Sequence, residues 1–291
     1  MVPGISLMFE LRRVWFLVLF ILFSGNLYAQ DYPKRVISLG PATTDALYLL
    51  DAEDRIIANT VYCKAPQGKP EKEKIGTVIK VNLEKIIKLK PDLVLATSLT
   101  DKQQLKIMKD LRLKVIEIPL ASNFNEICKN FLQVGRLIGK ELDAEEIIKE
   151  SEGKIDSVRK QTAGLSKQKA LVQIGAQPLF VATKEYFIND FIGWAGGINI
   201  AADLKSGLYS REGALKQDPD VIIISTMGSM VGEEEKKEWQ RFRSLNAVKN
   251  NRIYVVESEK LCAPTPKSFV DTLKEIAIFL HPETKFKFTN E

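Results

Sequence analysis

NLEKIIKLKPDLVLATS, residues 82–98, and SREGALKQDPDVIIIST, residues 210–226, follow one plan. In each, a capping residue (Asn82, Ser210) opens a short helix, and a glutamate (Glu84, Glu212) takes the second helical position. Seven residues beyond that glutamate, Pro91 and Asp92 in one copy and Pro219 and Asp220 in the other end the helix before an apolar run. The repeat predicts two related lobes. A first-turn glutamate is favoured by the positive end of the helix dipole alone. Two matched ones on sister lobes can also present paired carboxylates to a single partner.

Outward from the repeat, short Val-, Ile- and Leu-rich runs alternate with helical periodicity. Residues 36–39, 93–96 and 115–118 in the first half, and 170–174, 221–224 and 253–256 in the second, read as strands buried on both faces of a parallel sheet. Helical stretches at 186–194 and 268–280 follow the same alternation. Between the halves, Asp143 with Glu146 three residues on reads as a helix start. Ala144, Ile147, Ile148, Ile155 and Val158 then form one apolar stripe running to about residue 162. A helix of about twenty residues is about 30 Å long, which suits a strut between lobes. The predicted fold is α/β: two Rossmann-like lobes with parallel-rich central sheets bridged by a single long helix. The boundaries are residues 30–141 for the first lobe, 142–165 for the linking helix and 166–291 for the second lobe.

Residues 1–29 read as a signal peptide: Arg12 and Arg13, an apolar run at 14–23 too short to span a bilayer comfortably, and a cut after Ala29. This predicts a periplasmic protein. The whole chain carries +5, and losing Arg12, Arg13 and Glu10 with the signal leaves +4, evenly dispersed. No basic stripe interleaved with aromatics points to nucleic acid. With three cysteines an exported chain has at most one disulfide, so the fold must rest on its core. Cys128 falls in a helical pattern, while Cys63 and Cys262 fall in loops of different lobes. For those two the alternatives are separate thiols, an interlobe disulfide, or soft contacts to a metal-bearing ligand.

An enzyme is not expected. Neither FIGWAGGINI (192–201) nor LGPATT (39–44) is a nucleotide-binding loop. The single histidine, His281, read as a surface residue near the C-terminus, argues against a zinc site or a Ser-His-Asp triad. An envelope adhesion module is the remaining non-transport alternative.

The segments RVISLGPATTDALYLL (35–50), TVYCKAPQG (60–68), NLEKIIKLKPDLVL (82–95), QIGAQPLFVATKE (173–185), FIGWAGGINI, SREGALKQDPDVIII (210–224) and APTPKSFVDTLKEIA (263–277) together resemble the periplasmic substrate-binding proteins of the cobalamin and iron-chelate importer class. The likeness is greatest to its cobalamin-binding branch. The resemblance implies a monomeric carrier without cofactor. Its partners would be a small-molecule metal chelate and an ATP-binding cassette permease, onto which Glu84 and Glu212 would dock. It also implies a ligand between the lobes at the carboxyl ends of the strands. Candidate ligand-binding residues are Pro41, Ala42, Thr43, Tyr62 and Cys63 in the first lobe and Phe180, Tyr209, Glu259 and Cys262 in the second. Of these, Tyr62, Phe180 and Glu259 match positions that line the family's cobalamin pocket. Two features depart from that pattern. Trp15, Trp194 and Trp239 fall outside the expected cleft, and Arg211 is the one arginine placed near it. Haem, with Tyr62 or Tyr209 as axial ligand, and a ferric siderophore are therefore the alternative cargoes.

Overall fold

The computed structural model describes residues 31–225 and 229–287; the signal-peptide reading and Trp15 lie outside them. The first half builds a five-stranded, all-parallel sheet in the order β3-β2-β1-β4-β5. Its strands are β1 (Val36–Ser38), β2 (Ile56–Asn59), β3 (Glu73–Lys74), β4 (Leu93–Thr97) and β5 (Val115–Ile118). The helices of this half are α1 (Pro41–Leu49), α2 (Leu83–Leu89), α3 (Lys102–Asp110) and α4 (Phe124–Ile138). Central β1 and β4 are buried on both faces, as their unbroken apolar runs require.

In the second half β10 (Ile253–Val255), β9 (Val221–Ile224) and β6 (Gln168–Gly175) run parallel. The free edge of β6 is divided: its first residues pair in parallel with β8 (Gly197–Asn199), and its last pair antiparallel with β7 (Phe180–Val181). The helices of this half are α6 (Ile188–Trp194), α7 (Arg211–Gln217), α8 (Ser229–Gln240), α9 (Asn246–Lys249), α10 (Ser258–Cys262) and α11 (Pro266–Leu280).

The linking helix α5 spans Glu141–Thr162. It begins two residues before the expected cap. Gly139, at φ 74°, ends α4 in the left-handed conformation that favours glycine, and Lys140 turns directly into the next helix. Asp143, instead of capping, sits in the first turn and pairs with Lys140 at 3.1 Å. Ala144, Ile155 and Val158 of the predicted stripe are buried.

The strut is packed along its length. Phe124, Ile127 and Cys128 of α4 join Ile155 and Val158 of α5 and the α6 and α11 side chains in one core. At its centre Phe269 stacks on Phe191 at 4.0 Å and meets Phe124 at 4.7 Å. Phe124 N–H also donates to Asp190 Oδ2 at 2.9 Å. The two lobes therefore share a hydrophobic core behind the cleft.

One expectation of exposure is corrected. His281 is 1 % exposed, with Nε2 3.1 Å from the Ala195 carbonyl. It fits because Gly196 leaves the space: a Cβ there would lie 2.9 Å from Nε2. Burial pushes its imidazole pKa down. Trp239 is fully buried and donates Nε1–H to Gln173 Oε1 at 2.6 Å.

Candidate functional site between the lobes

The turn from β1 into α1 forms the first wall. Pro41 supplies a preset φ at the first helical position. Gly40 lets that turn close on β4, since a Cβ there would lie 2.6 Å from Thr97 Cγ2. Buried hydroxyls then fix the helix. Ser38 Oγ and Thr43 Oγ1 are 2.7 Å apart, Thr44 donates to Ser38 at 2.8 Å, and Thr44 also reaches Cys63 Sγ at 3.1 Å. Ala42, Thr43 and Ala46 are thereby presented to the interlobe space.

A pocket of ≈ 100 Å³ opens there. The first lobe contributes those three residues with Thr97 and the 118–121 segment at the ends of β4 and β5; the second contributes Phe187 and Cys262 to Thr265. Its volume is smaller than that of whole-ligand pockets, which run to about 300–1,000 Å³. Apart from Asn130 and the threonines, the lining is almost wholly apolar, and it contains no Lys or Arg among the described residues.

Charge is concentrated beside this pocket. Glu259 of α10 pairs with Lys64 of the first lobe at 2.6 Å, so the contact crosses the cleft. Both side chains are well exposed, and such a pair contributes only about 0.2–1 kcal/mol. Asp45, on α1 between the lining residues Ala42 and Ala46, was not singled out by sequence. Burial first, and then the charge of Glu259, push its carboxyl up to about 7. No ion pair or hydrogen bond holds that carboxyl among the described residues. A lone aspartate in an amphipathic helix gives no sequence signal of this kind, because both its burial and the charge of a residue more than two hundred positions away are set by the fold.

The predicted ligand residues divide into groups. Ala42, Thr43 and Cys262 line the pocket, while Pro41 shapes the turn beneath it. Tyr62, 50 % exposed, stands beside Lys64 in the loop that follows β2. Cys63 is 1 % exposed; Thr44 and Thr60 surround its sulfur, and burial pushes its thiol pKa up. It is therefore a neutral thiol closing a hydroxyl chain rather than a soft donor to cargo. All three cysteines are free, with Cys63 and Cys128 buried and Cys262 exposed, so no interlobe disulfide forms. Phe180 and Tyr209 lie together, outside the residues that line the pocket: Val181 N–H donates to the Gly207 carbonyl at 2.8 Å and Tyr209 N–H to the Leu179 carbonyl at 3.1 Å. Arg211 is held by contacts within the second lobe. It bonds Glu235 at 2.5 Å and lies over the Trp239 ring at 4.4 Å. Among the described residues no group of His, Cys, Asp and Glu could hold a bare metal ion.

The repeated helices α2 and α7 begin as predicted. Asn82 accepts from the Lys85 amide and Ser210 from the Gly213 amide, each at 3.0 Å, and Glu84 and Glu212 are exposed in the first turn. Each helix ends with a left-handed residue, Lys90 or Asp218, and turns back into the strand it feeds. A helix that doubles back into a parallel strand starts at that strand's carboxyl edge. Asn82 lies there, with its amide on the Ile75 carbonyl and the Ile75 amide on that of Asn59, the last residue of β2. Both glutamates thus stand at the sheet edges from which cleft loops emerge.

Residues 36–259 match the family described as periplasmic binding protein. The chain belongs to that family. It is 26 % identical over 260 residues to an uncharacterised ABC transporter substrate-binding lipoprotein of Bacillus subtilis, covering 87 % of this chain and 81 % of the relative. It is 24 % identical over 265 residues to a vitamin B12-binding protein of Vibrio cholerae, covering 90 % and 94 %. Among solved structures, a possible iron-binding (periplasmic solute-binding) protein of Staphylococcus epidermidis superposes with a TM-score of 0.75 at 27 % identity, over 86 % of this chain and all of the other. A periplasmic haem-binding protein of Pseudomonas aeruginosa shares the fold, with a TM-score of 0.78 at 18 % identity over 87 % and 94 % of the two chains. The resemblance drawn from sequence holds at the level of family and of two-lobed fold. No helix among the described residues is long and apolar enough to cross a membrane.

Proposed function

We propose that this protein is an exported carrier that holds a metal chelate between its lobes, a corrinoid before haem or a ferric siderophore, and hands it to an ATP-binding cassette permease. The observation that carries the reading is the pair of exposed glutamates at equivalent helix starts, one on each lobe, at the sheet edges flanking the cleft. An exposed ion pair with a permease arginine contributes only about 0.2–1 kcal/mol in water, so two set orientation more than affinity. The apolar, hydroxyl-bearing pocket without a lysine or arginine suits a chelate rimmed by amides better than one rimmed by acids. The curated relative named for vitamin B12 supports the same choice.

The test has two arms. Purified protein titrated with cyanocobalamin, cobinamide, haem and ferric siderophores, followed by absorbance, should give its tightest binding with a corrinoid. Charge reversal of both handles, Glu84→Lys with Glu212→Lys, should abolish uptake in cells while leaving that titration unchanged. A double variant that still supports uptake removes the docking role.

A further inference from the structure

A second cavity lies in the second lobe, at the amino end of β6, where α5 stops and residues 163–167 turn into the sheet. The cleft loops leave the opposite, carboxyl ends of the strands. This cavity has a volume of ≈ 500 Å³, within the range of about 300–1,000 Å³ that holds a whole small molecule. Arg159, Lys160 and Lys167 line it, and Asp156 is the one acid among the lining residues, a surplus of two positive charges. Trp194, at the end of α6, supplies an aromatic wall, and Gly193 beside it leaves open space, since a Cβ there meets nothing within 4 Å.

Cations in the last turn of a helix are favoured by its dipole, which alone accounts for Arg159 and Lys160. Three further observations go beyond the dipole. Lys167 lies outside the helix, and neither it nor Lys160 holds an ion pair or hydrogen bond among the described residues. Arg159 reaches Asp156 only at 3.4 Å, and its guanidinium rests over the Trp194 ring at 5.5 Å. Phe124 and Phe269 fix that indole from within, each edge-on at 5.7 Å, so the aromatic wall is rigid while still half-exposed. Like charges gathered over a fixed ring without countercharge repel one another, and an anion relieves that repulsion.

We infer that this cavity binds a small aromatic phosphate, independently of the cleft and of any cargo there. A phosphate monoester carries about two negative charges at neutral pH, which matches the surplus in the lining. The Arg159 guanidinium offers its fork of donors to the phosphate oxygens, Lys160 and Lys167 balance the remaining charge, and the ring of the ligand lies against Trp194.

The experiment is isothermal titration calorimetry of the full exported chain, in phosphate-free buffer at low ionic strength, with phenyl phosphate, inorganic phosphate and benzyl alcohol. Phenyl phosphate should bind about tenfold more tightly than inorganic phosphate, the share of one ring stacked on an aromatic side chain, and benzyl alcohol should not bind. Lys160→Ala with Lys167→Ala, both at exposed positions, should weaken phenyl phosphate by about tenfold. Gly193→Leu, which keeps every charge and occupies open space, should weaken it by a similar factor. Phenyl phosphate should also quench tryptophan fluorescence, and Trp194→Phe should remove the quenching, because Trp239 is fully buried. Absence of phenyl phosphate binding, equal affinity for inorganic phosphate, equal affinity for benzyl alcohol, or affinity unchanged in both the lysine and the glycine variants overturns the site. Sedimentation with phosphatidylglycerol but not phosphatidylcholine vesicles, without binding of phenyl phosphate, gives these lysines to a membrane surface and overturns it too.

Discussion

Arg211→Met should destabilise the protein by about 3 kcal/mol through loss of its contacts with Glu235 and Trp239. Arg211 opens α7 and is about one-quarter exposed; its partner Glu235 on α8 is 8 % exposed. Glu235 accepts from Arg211 at 2.5 Å and from Gln173 Nε2 at 2.7 Å, and Gln173 in turn accepts from Trp239. Removing one partner of a fully buried ion pair costs about 3–5 kcal/mol because the other charge is stranded. Partial exposure of Arg211 lowers that to about 2 kcal/mol. Loss of its stacking on Trp239, at 4.4 Å, restores about 1 kcal/mol of the cost. For a protein of this size the sum corresponds to a fall in Tm of about 6–12 °C. Urea denaturation of Arg211→Met, Glu235→Met and the double variant should show the double variant more stable than either single change. A loss below about 1 kcal/mol for Arg211→Met, or strict additivity in the cycle, would refute the argument that Glu235 is a buried charge held by this arginine.

Phe269→Ala, at the centre of the shared aromatic core, should cost about 3–5 kcal/mol in denaturant unfolding. Gly207→Ala places a Cβ 2.3 Å from the Phe180 ring, so the ring must move; calorimetry should show a loss of about 1–3 kcal/mol, and a neutral result would mean that the β7 edge yields freely. Asp45, whose folded pKa lies above the unfolded 3.8, contributes stability that is complete below that value and lost as pH rises through about 7. The decline between pH 4 and 7 should flatten in Asp45→Asn, as read from Tm against pH. A thiol reagent at neutral pH should label Cys262 alone in the native protein and all three cysteines after unfolding, because Cys63 is buried and burial pushes the Cys128 thiol up to about 12.

Elements with a strong local signal were readable from the chain itself. β1, β4, β5, β6, β9 and β10 are apolar runs set off by helical periodicity, and both repeated helices carry a capping side chain and a Pro-Asp stop. Strands made by pairing rather than by composition were not. β3 is Glu-Lys, and β7 and β8 are short pieces sharing one edge of β6. The cleft was legible at Ala42 and Thr43 because the turn after the first strand fixes where they go. Asp45, Phe187 and Lys64 derive their roles from side chains far away in sequence. Cys63 misled for the opposite reason: its loop position said nothing of the Thr44 and Thr60 hydroxyls that enclose it.

The placement of Phe124, Ile127 and Cys128 in the core of the second lobe has a wider consequence. A half-molecule cut within α5 would leave one fragment with a bare aromatic face and the other with a hole, so neither is an autonomous folding unit. Heat or denaturant should melt the protein in a single cooperative step, despite its bilobal outline. Any movement between the halves has to be a small slide within a seam that stays closed.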